Sequence, residues 1–186
     1  MYFALQRRQL QASCTDEVLL NATWRRQSVY RIAVGTEQGY VCLFEVTAEG
    51  LVYDRVLDKQ EGRILCLAWH SAGSHIVTGS PDTIRVWDVA SGQPTTRIST
   101  GRSEMHRETV VWSVAVTDDF TIISGDSRGK TCFWNGKMGT QMDAYQSHKA
   151  DVLAVALSPK QDVAYSSGCD PVMMHFQPVT RGEGMR

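Results

Sequence analysis

The chain has 186 residues, 42% of them apolar, with 19 Lys and Arg against 20 Asp and Glu for a formal charge of −1. That is enough apolar material for a core of ordinary size, so it fits one modest domain or part of a larger one. No run approaches the roughly 18 uninterrupted apolar residues of a membrane-spanning helix, and a near-neutral balance without a Lys/Arg block gives no electrostatic footprint for autonomous nucleic-acid binding.

Met1-Tyr-Phe-Ala-Leu-Gln-Arg-Arg8 puts its charges after a short apolar run, the reverse of a secretory signal. Beyond it no strand pattern develops before residue 16, and residues 1-15 are expected to form a poorly ordered N-terminal segment. From residue 16 a unit repeats. Gly35, Gly79, Gly125 and Gly168 stand in the settings Ala-Val-Gly, Val-Thr-Gly, Ile-Ser-Gly and Ser-Ser-Gly, at spacings of 44, 46 and 43 residues. About nine residues after each comes an aromatic and a polar residue: Phe44-Glu45, Trp87-Asp88, Trp134-Asn135 and Phe176-Gln177.

The first unit, 16-57, opens on the weak run Val18-Leu-Leu-Asn-Ala-Thr-Trp24. The second, 58-100, opens on Ile64-Leu-Cys-Leu-Ala-Trp69 and closes on polar Thr95-Thr-Arg-Ile-Ser99. Runs this short, rich in β-branched and aromatic residues and bounded by turns such as Ser71-Ala-Gly-Ser74 and Ser91-Gly92, read as strands. They predict strands near 63-70, 75-79, 83-89 and 94-99. The third unit, 101-146, predicts strands near 109-117, 121-125, 130-134 and 140-146. The fourth, 147-179, stops after its third strand, and 180-186 is expected to be a disordered tail. In each unit the first run is apolar on both faces, whereas the run that closes the second unit, Thr95-Thr-Arg-Ile-Ser99, is polar. That gradient is the signature of sheets stacked radially with the first strand innermost.

Four strands per unit, a period near 44 and Thr78-Gly-Ser-Pro-Asp-Thr-Ile-Arg-Val-Trp-Asp88 resemble a WD-repeat β-propeller. The fold expected is therefore all-β, with about four four-stranded blades over 16-179 and a ring left partial or open. In that family a His, a Ser or Thr, a turn Asp and the third-strand Trp form a hydrogen-bonded network inside a blade. Carried over by position, the resemblance implies a network of His148, Ser167 and Asp170, with Phe176 in the Trp place and unable to donate from a ring N–H. Trp87 and Asp82 hold the corresponding places in the second blade, where Asp82 sits one residue closer to its Trp than usual. Arg128 and Gln38 stand at the turn-Asp place elsewhere, so only the fourth blade is expected to be well cross-linked.

A closer resemblance spans residues 28 to 179. Asp58-Lys-Gln-Glu-Gly-Arg-Ile-Leu-Cys-Leu-Ala-Trp-His70, Ala72-Gly-Ser-His-Ile-Val-Thr-Gly-Ser80, Val110-Val-Trp-Ser-Val-Ala-Val116 and Thr121-Ile-Ile-Ser-Gly-Asp-Ser-Arg-Gly-Lys-Thr-Cys-Phe-Trp134 are similar to the N-terminal propeller of the cirhin family. Those proteins are nucleolar components of the small-subunit processome. The resemblance implies a non-enzymatic scaffold in ribosome biogenesis (transcription and processing of pre-rRNA), located in the nucleus and nucleolus. Its partners would be other processome proteins, with pre-ribosomal RNA met indirectly and neither a membrane nor a small-molecule substrate involved.

Three other readings set residues against this one. A general peptide-binding adaptor, such as a ubiquitin-ligase substrate receptor or a chromatin reader, would use charges at blade entrances, for example Arg63, Glu108 and Asp151. An enzyme would draw on Asp118-Asp119 or on His106 beside Glu108, but adjacent carboxylates in a turn diverge into solvent, and no nucleophile elbow or phosphate loop is present. Direct RNA contact would use Arg25-Arg26, Arg128-Gly-Lys130 and Lys137, with Trp24 as a stacking face. Cys14, Cys42, Cys66, Cys132 and Cys169 are odd in number and scattered, as are the five histidines. They suggest a reducing compartment, no catalytic or metal site and no cofactor.

Overall fold

The computed structural model describes residues 19–26 as backbone, and residues 30–101 and 107–177 in full. The segment 1-15, the tail 180-186, His106 and the side chains of Trp24, Arg25 and Arg26 lie outside what is described. The described residues form fifteen strands and no helix.

Three sheets have four strands each. The first runs β1 (Leu19–Arg26), β2 (Tyr30–Thr36), β3 (Val41–Thr47) and β4 (Gly50–Val56). The second runs β5 (Cys66–Trp69), β6 (His75–Ser80), β7 (Thr83–Asp88) and β8 (Pro94–Ser99). The third runs β9 (Val111–Val116), β10 (Thr121–Asp126), β11 (Lys130–Asn135) and β12 (Thr140–Gln146), and the last has only β13 (Val152–Leu157), β14 (Ala164–Gly168) and β15 (Met173–Phe176). Every neighbouring pair is antiparallel. The architecture is that of four blades of a WD-repeat propeller, partial and unclosed, as the alternation of runs and turns leads one to expect.

The residue pair after each repeat glycine has a local cause. Trp87 and Trp134 are buried, while Asp88 and Asn135, which follow them, turn outward and cap the next hairpin. Asp88 accepts the Ser91 N–H at 2.9 Å, and Asn135 accepts those of Lys137 and Met138 at 3.1 and 3.0 Å. The bonds from the Ser91 hydroxyl and N–H hold the Asp88 carboxyl below its usual range. In each complete blade the fourth strand carries one extra residue opposite the aromatic: Asp54, Thr95 and Met142.

The core is made between blades. Ala33, Val41 and Leu43 of the first blade pack with Leu67, Ile76 and fully buried Trp87 of the second. Cys66, Val77, Ile84, Val86 and Ile98 of the second pack with Val114, Val116, Ile122, Cys132 and Trp134 of the third. Burial of this kind contributes about 25 cal/mol for each Å² of apolar surface withdrawn from water. It also raises the Cys66 and Cys132 thiols to about 12 and 11, making both inert packing groups.

Three repeat glycines owe their place to these junctions. A Cβ on Gly35 would lie 2.5 Å from Ile64 Cγ2, one on Gly79 2.7 Å from Val111 Cγ1, and one on Gly125 2.6 Å from Val152 Cγ1. Each is a socket for the β-branched residue that opens the following blade. None of the three needs a left-handed φ, so close approach is the reason for glycine.

Candidate interaction surface and the hydrogen-bond networks of the blades

In the fourth blade His148 is buried at the entrance of β13. Its Nδ1 lies 2.6 Å from Asp170 Oδ1 and its Nε2 lies 2.8 Å from Ser166 Oγ. The hydroxyl is thus Ser166 rather than Ser167. Side chains alternate along β14, so Ser166 faces the third blade while Ser167 pairs with Met173 on the exposed face. Burial raises the Asp170 pKa, but the bonds from His148 and the Lys149 N–H prevail and hold the carboxyl below its usual range. Phe176 takes the Trp place without donating. It packs edge-on to Phe133 and tilted to Tyr145, with both centroids at 5.5 Å.

The second blade is cross-linked at least as well, contrary to expectation. Buried Gln60 stands eighteen residues before Thr78, as His148 stands eighteen before Ser166. Thr78 donates to Gln60 Oε1 at 2.7 Å, Gln60 Nε2 donates to Ser80 at 2.5 Å, and Trp87 Nε1 donates to Thr78 at 2.9 Å. An amide therefore does what an imidazole does in the fourth blade, since both offer a donor and an acceptor. The constant spacing was the available signal, and His106 stands at the same distance before Ser124. In the third blade Trp134 Nε1 donates to Ser124 at 2.8 Å.

Asp82 reaches outside its own blade. Its φ of 59° tips the carboxylate toward the crossover, where it accepts the Thr109 N–H at 2.7 Å. Arg128, in the turn-Asp place of the third blade, gives its guanidinium to Thr100 O at 2.9 Å. Its turn and the one holding Lys137 are successive hairpins, at opposite ends of the third blade. The basic residues therefore do not form one edge.

Of the remaining candidates, Asp151, Asp118 and Asp119 are engaged within the protein. Asp151 accepts Trp112 Nε1 at 2.8 Å, tying the third blade to the fourth, while Arg63 and Glu108 point into solvent. Asp118 receives Gln161 Nε2 at 3.1 Å. The hydroxyl of Thr117, against a smaller effect of burial and with help from Thr121, holds the Asp119 carboxyl below its usual range. An acid held ionised is no proton donor at neutral pH. Between the third and fourth blades opens a groove of about 1100 Å³, walled by Phe133, Tyr145 and Phe176 and floored by Asp118 and Gln161.

Blades built on a buried hydroxyl, a third-strand aromatic and a glycine socket are those of a WD-repeat propeller. Residues 53–88 match the family described as WD40: WD domain, G-beta repeat. The chain is 39% identical over 155 residues to the U3 small nucleolar RNA-associated protein 4 homolog of Homo sapiens, covering 81% of this chain and 23% of that protein. It is 35% identical over 144 residues to U3 small nucleolar RNA-associated protein 4 of Schizosaccharomyces pombe (75% and 20%), and 30% identical over 158 residues to that of Saccharomyces cerevisiae (78% and 20%). The chain spans less than a quarter of the length of these curated relatives.

Proposed function

We propose that the chain is a segment of a U3 small nucleolar RNA-associated protein 4 and serves as a non-enzymatic scaffold. In this reading it holds neighbouring proteins of the small-subunit processome in the nucleolus, during transcription and processing of pre-rRNA. The observation that carries the proposal is the 39% identity over 155 residues, which covers 81% of the chain rather than one repeat. General propeller geometry alone leaves function open.

The chemistry of the side chains supports a scaffold. His148 has both ring nitrogens bonded, Asp119 is held ionised and Asp118 is tied to Gln161, so these three groups are spent on structure. With Arg128 bonded to Thr100, contact with pre-ribosomal RNA is indirect in this reading. The test is affinity purification of the tagged chain from growing cells, with and without nuclease, followed by mass spectrometry. Nuclease-resistant recovery of processome proteins is the expected result. Recovery of cullin-linked factors or histones instead would turn the reading into a peptide-binding adaptor, and recovery of chaperones alone would refute it.

A further inference from the structure

The groove between the third and fourth blades differs from the other two junctions in openness and in charge. Register sets Asp143 beside Phe133 and Tyr145 beside Thr131, on the face that the third blade turns to the fourth. Leu57 and Ile98 hold the place of Tyr145 in the first and second blades, and Arg55 and Thr96 hold that of Asp143. Leu57 and Ile98 are each 1% exposed, shut in by the blade that follows, whereas Tyr145 is 48% exposed. The rings of Phe133, Tyr145 and Phe176 stand with centroids 5.5 to 6.0 Å apart and so form one continuous aromatic wall.

Carboxylates surround that wall. Asp118, Asp119, Asp143 and Asp162 line the groove against one ammonium, that of Lys160. Asp118 takes Gln161 Nε2, Asp119 takes the Thr121 N–H and Asp162 takes the Ser158 hydroxyl, all neutral donors that leave the negative charge in place. The ion pairs among the described residues do not include Asp143 or Asp162. A groove of this sign repels a phosphate backbone or an acidic peptide and attracts a cation. A guanidinium suits it better than an ammonium, because its plane stacks on aromatic rings while its N–H fork meets a carboxylate. The volume of about 1100 Å³ exceeds one side chain and leaves room for the peptide on either side of it.

We propose that this groove docks an arginine-bearing segment of a partner protein, with the guanidinium lying on Tyr145 and Phe176 and paired with Asp143. The proposal deepens the scaffold reading and rests on it. The test places the photocrosslinking residue p-benzoylphenylalanine at position 142 of the whole chain in growing cells, with position 138 as control. Both are exposed methionines of the third blade, and of the two Met142 lines the groove. Position 142 is expected to give about tenfold more adduct than position 138. The sequenced adduct should map to one segment that carries arginine. Asp143→Asn should cut its yield about fivefold with the melting temperature unchanged, and Asp143→Glu should restore it. Equal adduct at both positions, a yield unmoved by Asp143→Asn, or adduct on a segment without arginine, on RNA or on this chain itself would overturn the docking site. If the arginine segment belongs to a protein outside ribosome assembly, the groove stands and the processome reading falls; if processome proteins co-purify while position 142 gives no adduct, the reverse holds.

Discussion

The second and fourth blades hold a hydroxyl in the same place by different means, and the far end of each hydrogen-bonded chain decides what it joins. In the second, Gln60 takes Thr78 and Thr78 takes Trp87, so the chain runs from the blade entrance through β6 to β7. In the fourth, His148 takes Ser166 but then returns to Asp170 in the turn, and Phe176 adds no bond. β15 is left to its ladder with β14 and to aromatic contacts with Phe133 and Tyr145. Identical spacing therefore does not bring identical reinforcement: the third-strand Trp is what extends a local bond across a whole blade.

The largest expected break in this contrast is at Trp87. Trp87→Ala should lower unfolding free energy by about 3 to 5 kcal/mol in denaturant titration, because it empties a fully buried site at the first junction and leaves Thr78 without its donor. A loss below about 1 kcal/mol would refute that placement.

Next comes the socket. Gly79→Ala puts a methyl 2.5 Å from Cys66 Sγ and 2.7 Å from Val111 Cγ1 and should cost about 1 to 3 kcal/mol. Ser167→Ala, at the exposed face of the fourth blade, should change stability by less than about 0.5 kcal/mol in the same titration. Equal effects would mean that the junction is not tightly packed.

The charged end of the fourth-blade chain should appear as pH dependence. Asp170 is held below its ordinary value, so its contribution is present above the unfolded carboxylate pKa, near 4, and is lost as pH falls through its lower folded value. The urea midpoint of Asp170→Asn should lie under that of wild type at neutral pH, and the gap should close on the acid side. A gap independent of pH would assign the effect to shape rather than charge. The smallest effect is expected from Phe176→Trp, which supplies the missing ring donor near Ser166 and should raise stability by no more than about 1 kcal/mol. Slower amide exchange in β15 than in wild type would be its clearest sign.

Much of the fold was legible because its cause is periodic. The glycines at 35, 79 and 125 recur because each receives a β-branched residue from the next blade, and the run boundaries followed from turns that cap themselves through Asp88 and Asn135. Strands β6, β7 and β8 lie within a residue of the expected 75-79, 83-89 and 94-99. The site was less legible, for two reasons. Two serines precede Gly168, and only the register of β14 with β13 and β15 tells which faces inward. Gln60 does not resemble a histidine in sequence, although its amide has the same donor and acceptor pair. The bond from Thr109 to Asp82 was not legible either, because backbone conformation, invisible in residue type, sets where the carboxylate points.

That conformation reaches beyond the network. Asp82 receives the Thr100 N–H on its carbonyl at 3.0 Å, donates its own N–H to Thr109 O at 2.8 Å and takes the Thr109 N–H on its carboxylate. Both ends of the crossover between the second and third blades are therefore fastened to one residue. Two neighbouring blades are thus held in line by the peptide groups and the carboxylate of a single residue.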